Sequence, residues 1–225
     1  MRRVYSLYST SVGKKYTMAV SGVIFVLFVI VHMFGNLKVY LGPEVFNHYA
    51  EGLREFGEPF LGREWFLWAF RTALILFLLI HVVAAWQTSR QSWAARGQKY
   101  RKKEKLVFHY ASRTMRWGGV ALFLFIVYHI LHLTTGTLHP DFVAGDAYHN
   151  FTTGFRSVPV VVVYCLAMIA LGLHLYHGTW SAFQTLGLDG PRINKWREPV
   201  ALAVALVVVL VNISFPVAVL TGIIP

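Results

Sequence analysis

The chain has 225 residues, 56% hydrophobic, 16% aromatic and only 14% charged, where an average soluble domain carries about 25% charge, and this balance excludes a soluble globular protein. Twenty-one Lys and Arg against 10 Asp and Glu give a net charge of +11, but apolar runs of about 18 residues or more leave no continuous basic face, which excludes a nucleic-acid partner. The single cysteine, Cys165, lies in an apolar run and excludes a disulfide framework or a cysteine-based metal site within this chain.

Five segments are long and apolar enough to cross about 30 Å of hydrocarbon as helices, at roughly 20 residues each. In chain order they are residues 16–40, 65–88, 117–138, 158–183 and 199–224. The first has no small-x-small cleavage site after a short apolar core, so it reads as a retained helix and not as a signal peptide. Gly42-Pro43, Gly57-Glu58-Pro59, His139-Pro140-Asp141, the stretch 187–191 and the basic run 101–105 mark the joints. The expectation is an all-α integral membrane bundle of five transmembrane helices, a single domain over residues 1–225 within the lipid bilayer.

Sixteen of the 21 basic residues fall on one side. Arg2, Arg3, Lys14 and Lys15 precede the first helix, nine more lie from Arg90 to Arg116, and Arg192, Lys195 and Arg197 precede the fifth. Cytoplasmic loops hold the Lys/Arg excess, so the N-terminus is expected in the cytoplasm and the C-terminus outside. The run 101–105 reads as an orientation signal against anionic headgroups, with docking of a soluble partner as its alternative.

Ionisable side chains in lipid-immersed helices are costly and face the bundle interior, which makes them functional candidates. The first four helices carry them: His32, His81, His129 with His132, and His174 with His177. At 1.5 Å per residue, His32 lies roughly 25 Å from Lys15 and His129 roughly 20 Å from Arg116, both in the outer half of the bilayer. His81 is about 14 Å from Arg90 and His174 about 18 Å from the helix end near Leu186, both in the inner half. Helices one and three thus offer imidazoles at one level, helices two and four at another. Facing imidazoles can hold a bis-His iron porphyrin, and two stacked haems fit this layout. Zinc competes for imidazole, but a tetrahedral site would converge three or four ligands at one depth, and no Asp or Glu lies inside the five segments. Gly22, Gly35, Gly118, Gly119, Gly172 and Gly178 would admit a porphyrin plane, or equally a neighbouring helix.

The block Ser11-Val-Gly-Lys14-Lys15-Tyr-Thr-Met18-Ala-Val-Ser21-Gly22, followed by His32 and Gly35-Asn36-Leu37, resembles the cytochrome b membrane anchor of succinate dehydrogenase and fumarate reductase in its single-subunit, five-helix, di-haem form. Arg116-Trp-Gly-Gly with Tyr128-His129 is similar to the family's third helix, and His174-Leu-Tyr-His177-Gly178-Thr-Trp180-Ser181 to its fourth. The resemblance runs from about Ser11 to the end. Ala85 departs from it, since related second helices carry glycine four residues after the ligand.

The resemblance implies two haem b groups, with His32 and His129 as axial ligands of the distal iron and His81 and His174 of the proximal. It implies a prokaryotic cytoplasmic (inner) membrane complex, respiratory complex II, in which a flavoprotein subunit with FAD oxidises succinate and an iron–sulfur subunit passes electrons to this chain. Menaquinone or ubiquinone is then the membrane substrate. The chain lacks a dinucleotide-binding glycine fingerprint and cluster cysteines, so FAD and iron–sulfur clusters belong to the partners. The direction of catalysis and any higher oligomer of the complex stay open.

Further residues read as contacts to propionates or quinone. His132 and His177 share roughly one helix face with the ligands three residues before them, and a solvated or helix-end role is their alternative. Arg71, just inside the outer end of the second helix, could meet a distal propionate or a quinone oxygen, or snorkel outward. Lys15, Arg113 and Arg116 are inner candidates for proximal propionates. Trp86 and Trp180 read as interfacial belt residues, and Glu51, Glu55 and Glu58 as solvated loop carboxylates or proton-exchange groups. Two other readings compete: the cytochrome b of another respiratory enzyme, such as nitrate reductase or formate dehydrogenase, and a histidine-lined metal transporter, which would show interior carboxylates or broken helices.

Overall fold

The computed structural model describes residues 8–94 and 108–225, with 108–114 described by their backbone alone. Arg2, Arg3, Arg96, Lys99, the run 101–105 and the side chain of Arg113 lie outside the described residues. Seven helices order the rest: α1 (Ser11–Asn36), α2 (Pro43–Glu55), α3 (Trp65–Ala94), α4 (Phe108–His129), α5 (Ala147–Gly154), α6 (Val158–Thr185) and α7 (Pro191–Leu220). A 3-10 turn, Leu37–Leu41, prolongs α1, and a π turn, Ile130–Thr134, prolongs α4. No strand occurs among the described residues, and α1, α3, α4, α6 and α7 are long and apolar enough to cross a membrane.

The spanning helices are longer than apolar scanning expects at the end carrying the basic residues, here the basic end. Helix α1 starts at Ser11, α3 continues to Ala94, α4 starts by Phe108 and α7 starts at Pro191. Polar residues continue a helix as well as apolar ones when nothing interrupts the i→i−4 bonding. Thr10 caps α1 by accepting from the Gly13 N–H at 2.9 Å, and Pro191 sits at the start of α7, where a missing N–H costs nothing. The longer α7 includes Glu198, a carboxylate the sequence reading leaves outside the fifth helix; it is exposed and accepts from the Tyr176 hydroxyl at 3.3 Å. The opposite ends stop early: the third span ends at Thr134, ahead of Gly136 with φ 72°, and α7 at Leu220, ahead of Gly222 with φ 76°. Both glycines take the left-handed conformation that ends a helix.

Helix α6 is the centre of the bundle, packed against α1, α4 and α7, while α3 leans on α1. The most apolar stretch of α3 has no buried residue, so Leu76, Leu79 and Val83 form an apolar outer face suited to lipid. Gly172 lets α7 approach α6 so closely that a Cβ there would collide with Val209.

At the end opposite the basic residues, the loop end, α2 and α5 form a lid over the bundle. Val39, Phe46, Phe151, Phe155, Val161, Tyr164 and Phe215 pack beneath it in one cluster. Asp146 caps α5 by accepting from the His149 N–H at 2.9 Å, and it also accepts from Asn47 on α2 at 2.9 Å. These bonds, the backbone one first, hold its carboxyl below the usual carboxylate range. Glu51 is paired with Arg63 and, at 3.2 Å, with Arg54. The Arg63 hydrogen bond leads in holding the Glu51 carboxyl low.

Candidate functional site

Two pairs of imidazoles face each other across the bundle. His32 on α1 and His129 on α4 hold ring centroids 6.0 Å apart with planes at 85°. His81 on α3 and His174 on α6 hold theirs 6.3 Å apart at 59°. Ser21 touches the second pair and His32 belongs to the first, and eleven residues of α1 separate them, about 16 Å of rise. The pairs therefore lie at two levels, one toward the loop end and one toward the basic end.

Aromatic rings wall the pair nearer the loop end. Phe28 stacks on His32 at 5.4 Å, and Phe125 lies 5.9 Å from His129. The Tyr164 hydroxyl, from α6, lies 3.3 Å from His129 Nδ1. In the pair nearer the basic end, Ser21 Oγ lies 2.9 Å from His81 Nδ1, and Phe25 stands edge-on to His81 at 5.9 Å. His174 Nδ1 is buried without a hydrogen-bond partner.

The donor set fits a bis-imidazole iron porphyrin. Two imidazoles bound to one iron at about 2 Å per bond hold their ring centres about 6.3 Å apart, and both pairs have that spacing. Hydrogen bonding at Nδ1 of His81 and His129 leaves Nε2 of each ring to ligate. Among the described residues, no group of three or more His, Cys, Asp or Glu gathers as a metal cage, so the arrangement is one of pairs.

Glycines divide between the two roles left open for them. Gly35 and Gly172 serve packing: a Cβ on Gly35 would meet the Tyr49 ring, and one on Gly172 would meet Val209. Gly22 and Gly119 face the inner pair, where a Cβ would lie 3.4 Å from His81 Cε1 and 4.0 Å from His174 Cε1 respectively. Gly118 and Gly178 border open space.

His132 and His177 stand apart from the facing pairs. His132 is 2% exposed, stacked between Tyr128 at 5.4 Å and His139 at 5.1 Å, with Nδ1 3.0 Å from the Tyr164 hydroxyl. It lies in the π turn, a local irregularity that frequently accompanies function. His177 lies beside Trp180 at 6.4 Å. Arg71 lies over the Trp68 ring at 5.0 Å, Arg116 over Trp93 at 4.7 Å, and Lys15 is exposed at the basic end. Arg197, not singled out from sequence, lies over Trp180 at 5.3 Å, 3.8 Å from Asp189, with Nε and Nη1 lacking hydrogen-bond partners. Sequence reasoning also passes over Ser21 and Tyr164, the two hydroxyls on the ligand rings.

Comparison with protein families matches residues 87–213 to the family described as succinate dehydrogenase/fumarate reductase transmembrane subunit. The match covers α4 and α6, which carry His129 and His174. No curated protein and no solved structure matches the chain.

Proposed function

The chain belongs to the succinate dehydrogenase/fumarate reductase transmembrane subunit family, and from that premise we propose that it is the electron-transfer anchor of a succinate:quinone oxidoreductase, holding two haem b groups. The observation that carries this reading is the two imidazole pairs, with centroids 6.0 and 6.3 Å apart at two levels of one bundle. His32 and His129 would hold the distal haem near the loop end, and His81 and His174 the proximal haem near the basic end. Haem b, when bound, supplies reversible one-electron carriage between the soluble subunits and a membrane quinone.

The chain's own residues do the binding and orienting. The Ser21 and Tyr164 hydroxyls at Nδ1 of His81 and His129 leave Nε2 of those rings to ligate, and Phe28, Phe25 and Phe125 pack beside the ligand rings. The basic end faces the cytoplasm of a prokaryotic inner membrane and receives the iron–sulfur and flavoprotein subunits, which carry FAD, the clusters and the dicarboxylate active site. Arg116, Arg197 and Lys15, with Arg113, supply positive charge for proximal propionates at that end, and Arg71 does so near the distal level. Menaquinone or ubiquinone enters from lipid and takes protons with its electrons; of the two companion histidines, His177 beside Trp180 is the one placed to meet a propionate or quinone, since His132 is stacked into the core.

The test is porphyrin content per chain in the purified complex, with a dithionite-reduced minus air-oxidised spectrum. Two haem b per chain is the expected result. No haem absorbance, or stoichiometric zinc in its place, overturns the reading.

A further inference from the structure

One ligand of each imidazole pair is hydrogen-bonded at Nδ1 to a hydroxyl from a different helix. Ser21, on α1, is 2% exposed. Its hydroxyl has a single proton and lies 2.7 Å from the Thr17 carbonyl and 3.2 Å from that of Met18. That proton is committed to the backbone, so toward His81 the Ser21 oxygen accepts, and His81 Nδ1–H donates across 2.9 Å. A neutral imidazole protonated at Nδ1 has its lone pair at Nε2. The side chain of Ser21, together with the Met18 carbonyl, which also accepts from the His81 ring, therefore favours the tautomer of His81 that can ligate.

Tyr164 does the same for the other pair by a different route. Its hydroxyl lies within reach of two rings, 3.3 Å from His129 Nδ1 and 3.0 Å from His132 Nδ1. One hydroxyl proton cannot serve both, so at least one imidazole donates to the oxygen. A His129 ligating through Nε2 carries its proton at Nδ1 and is a donor; Tyr164 is then free to donate to His132. The His132 ring is held in place. Tyr128 and His139 sandwich His132 with planes only 8° and 21° from parallel, and a Cβ on Gly154 would come within 2.9 Å of its Cε1. His139 is held in turn, its Nε2 3.0 Å from the Asn150 carbonyl of α5. A buried, packed chain of groups thus fixes the phenol against His129.

We propose that Ser21 and Tyr164 are positioning residues, one for each haem, which fix the ring and tautomer of His81 and His129 and set their strength as electron donors. The inference rests on the di-haem reading. A ligand imidazole that donates its other N–H to an oxygen becomes the more basic ligand. Greater basicity stabilises the oxidised iron, so each hydroxyl lowers the midpoint potential of its own haem. Ser21 has the stronger effect, since its bond is shorter by several tenths of an ångström.

The experiment is a spectroelectrochemical titration of the purified holo-complex carrying Ser21→Ala or Tyr164→Phe, with the two haem components identified by the variants His81→Ala and His32→Ala. With both haems retained, Ser21→Ala is expected to raise only the proximal midpoint and Tyr164→Phe only the distal. Loss of about tenfold in preference for the oxidised form corresponds to about 59 mV for one electron. Ser21→Thr, which keeps the hydroxyl, is expected to keep the unmodified potential. Loss of only the assigned haem from a variant is the same positioning role in stronger form. Unmoved potentials, movement of the other component, or loss of both haems from either variant overturns the proposal. Absence of haem from the unmodified complex would instead defeat the di-haem reading itself.

Discussion

His32 and His129, on the first and third spanning helices, face each other with ring centroids 6.0 Å apart and planes nearly perpendicular, at 85°. Perpendicular rings at that distance are not stacked on one another, whereas His132 and His139 are, at 5.1 Å and 21°. The contrast separates two kinds of histidine contact within one protein. The first holds two rings apart at a ligand-pair spacing without stacking them, and the second forms part of a packed core.

It follows that His132 is expected to be dispensable for haem retention but important for stability. His132→Ala removes a ring stacked on both faces and leaves the Tyr164 hydroxyl with one partner fewer, a loss of about 2–3 kcal/mol. Haem quantification should return two per chain, while thermal unfolding of the detergent-solubilised complex should shift downward. Loss of the distal haem alone would contradict the expectation that His132 is dispensable for haem retention.

Packing at the loop end is close at Gly154, where a Cβ would lie 2.9 Å from His132 Cε1 and 3.1 Å from His139 Nε2. Those rings are stacked and cannot withdraw independently, so Gly154→Ala is expected to destabilise by about 1–3 kcal/mol. Gly52, in α2, borders open space, and Gly52→Ala should stabilise by up to about 1 kcal/mol through helix propensity. Comparing the two variants by thermal unfolding checks both the direction and the contrast.

The fold was legible in the sequence to the extent that burial in lipid writes itself as long apolar runs. Five such runs became five spanning helices, and the depth count that grouped His32 with His129 and His81 with His174 also groups the rings that are neighbours in space. Helix ends were less legible, because the polar turns that extend α3, α4 and α7 at the basic end look like loop to a hydropathy criterion. Helices α2 and α5 were missed for the same reason. The π turn at 130–134, which lies against α5, leaves no mark in the hydropathy pattern. Ser21 left a signal that went unread: it stands eleven residues from His32, close to three full turns, on the same face of α1. Tyr164 left none, as an aromatic residue in an apolar run reads as core.

Acid should weaken the lid at the loop end. The Asp146 carboxyl is held low by the His149 N–H and by Asn47, so its folded pKa lies below its unfolded value. Its contribution is therefore fully present above the unfolded value, about 3.9, and is lost as pH falls through the folded value. Asp146→Ala is expected to cost about 1 kcal/mol at neutral pH through loss of the cap. The gap in unfolding temperature between Asp146→Ala and the unmodified protein should persist down to about pH 4 and narrow below it; a gap that widens in acid would contradict this assignment.

The central claim, two haems held by ligand pairs at two levels, is tested most directly by reduced-minus-oxidised spectra of His32→Ala and His81→Ala, with porphyrin counted per chain. Each variant is expected to retain one haem and to lose a different spectral component, the distal for His32→Ala and the proximal for His81→Ala. Loss of the same component from both, or retention of both haems by either, would contradict it.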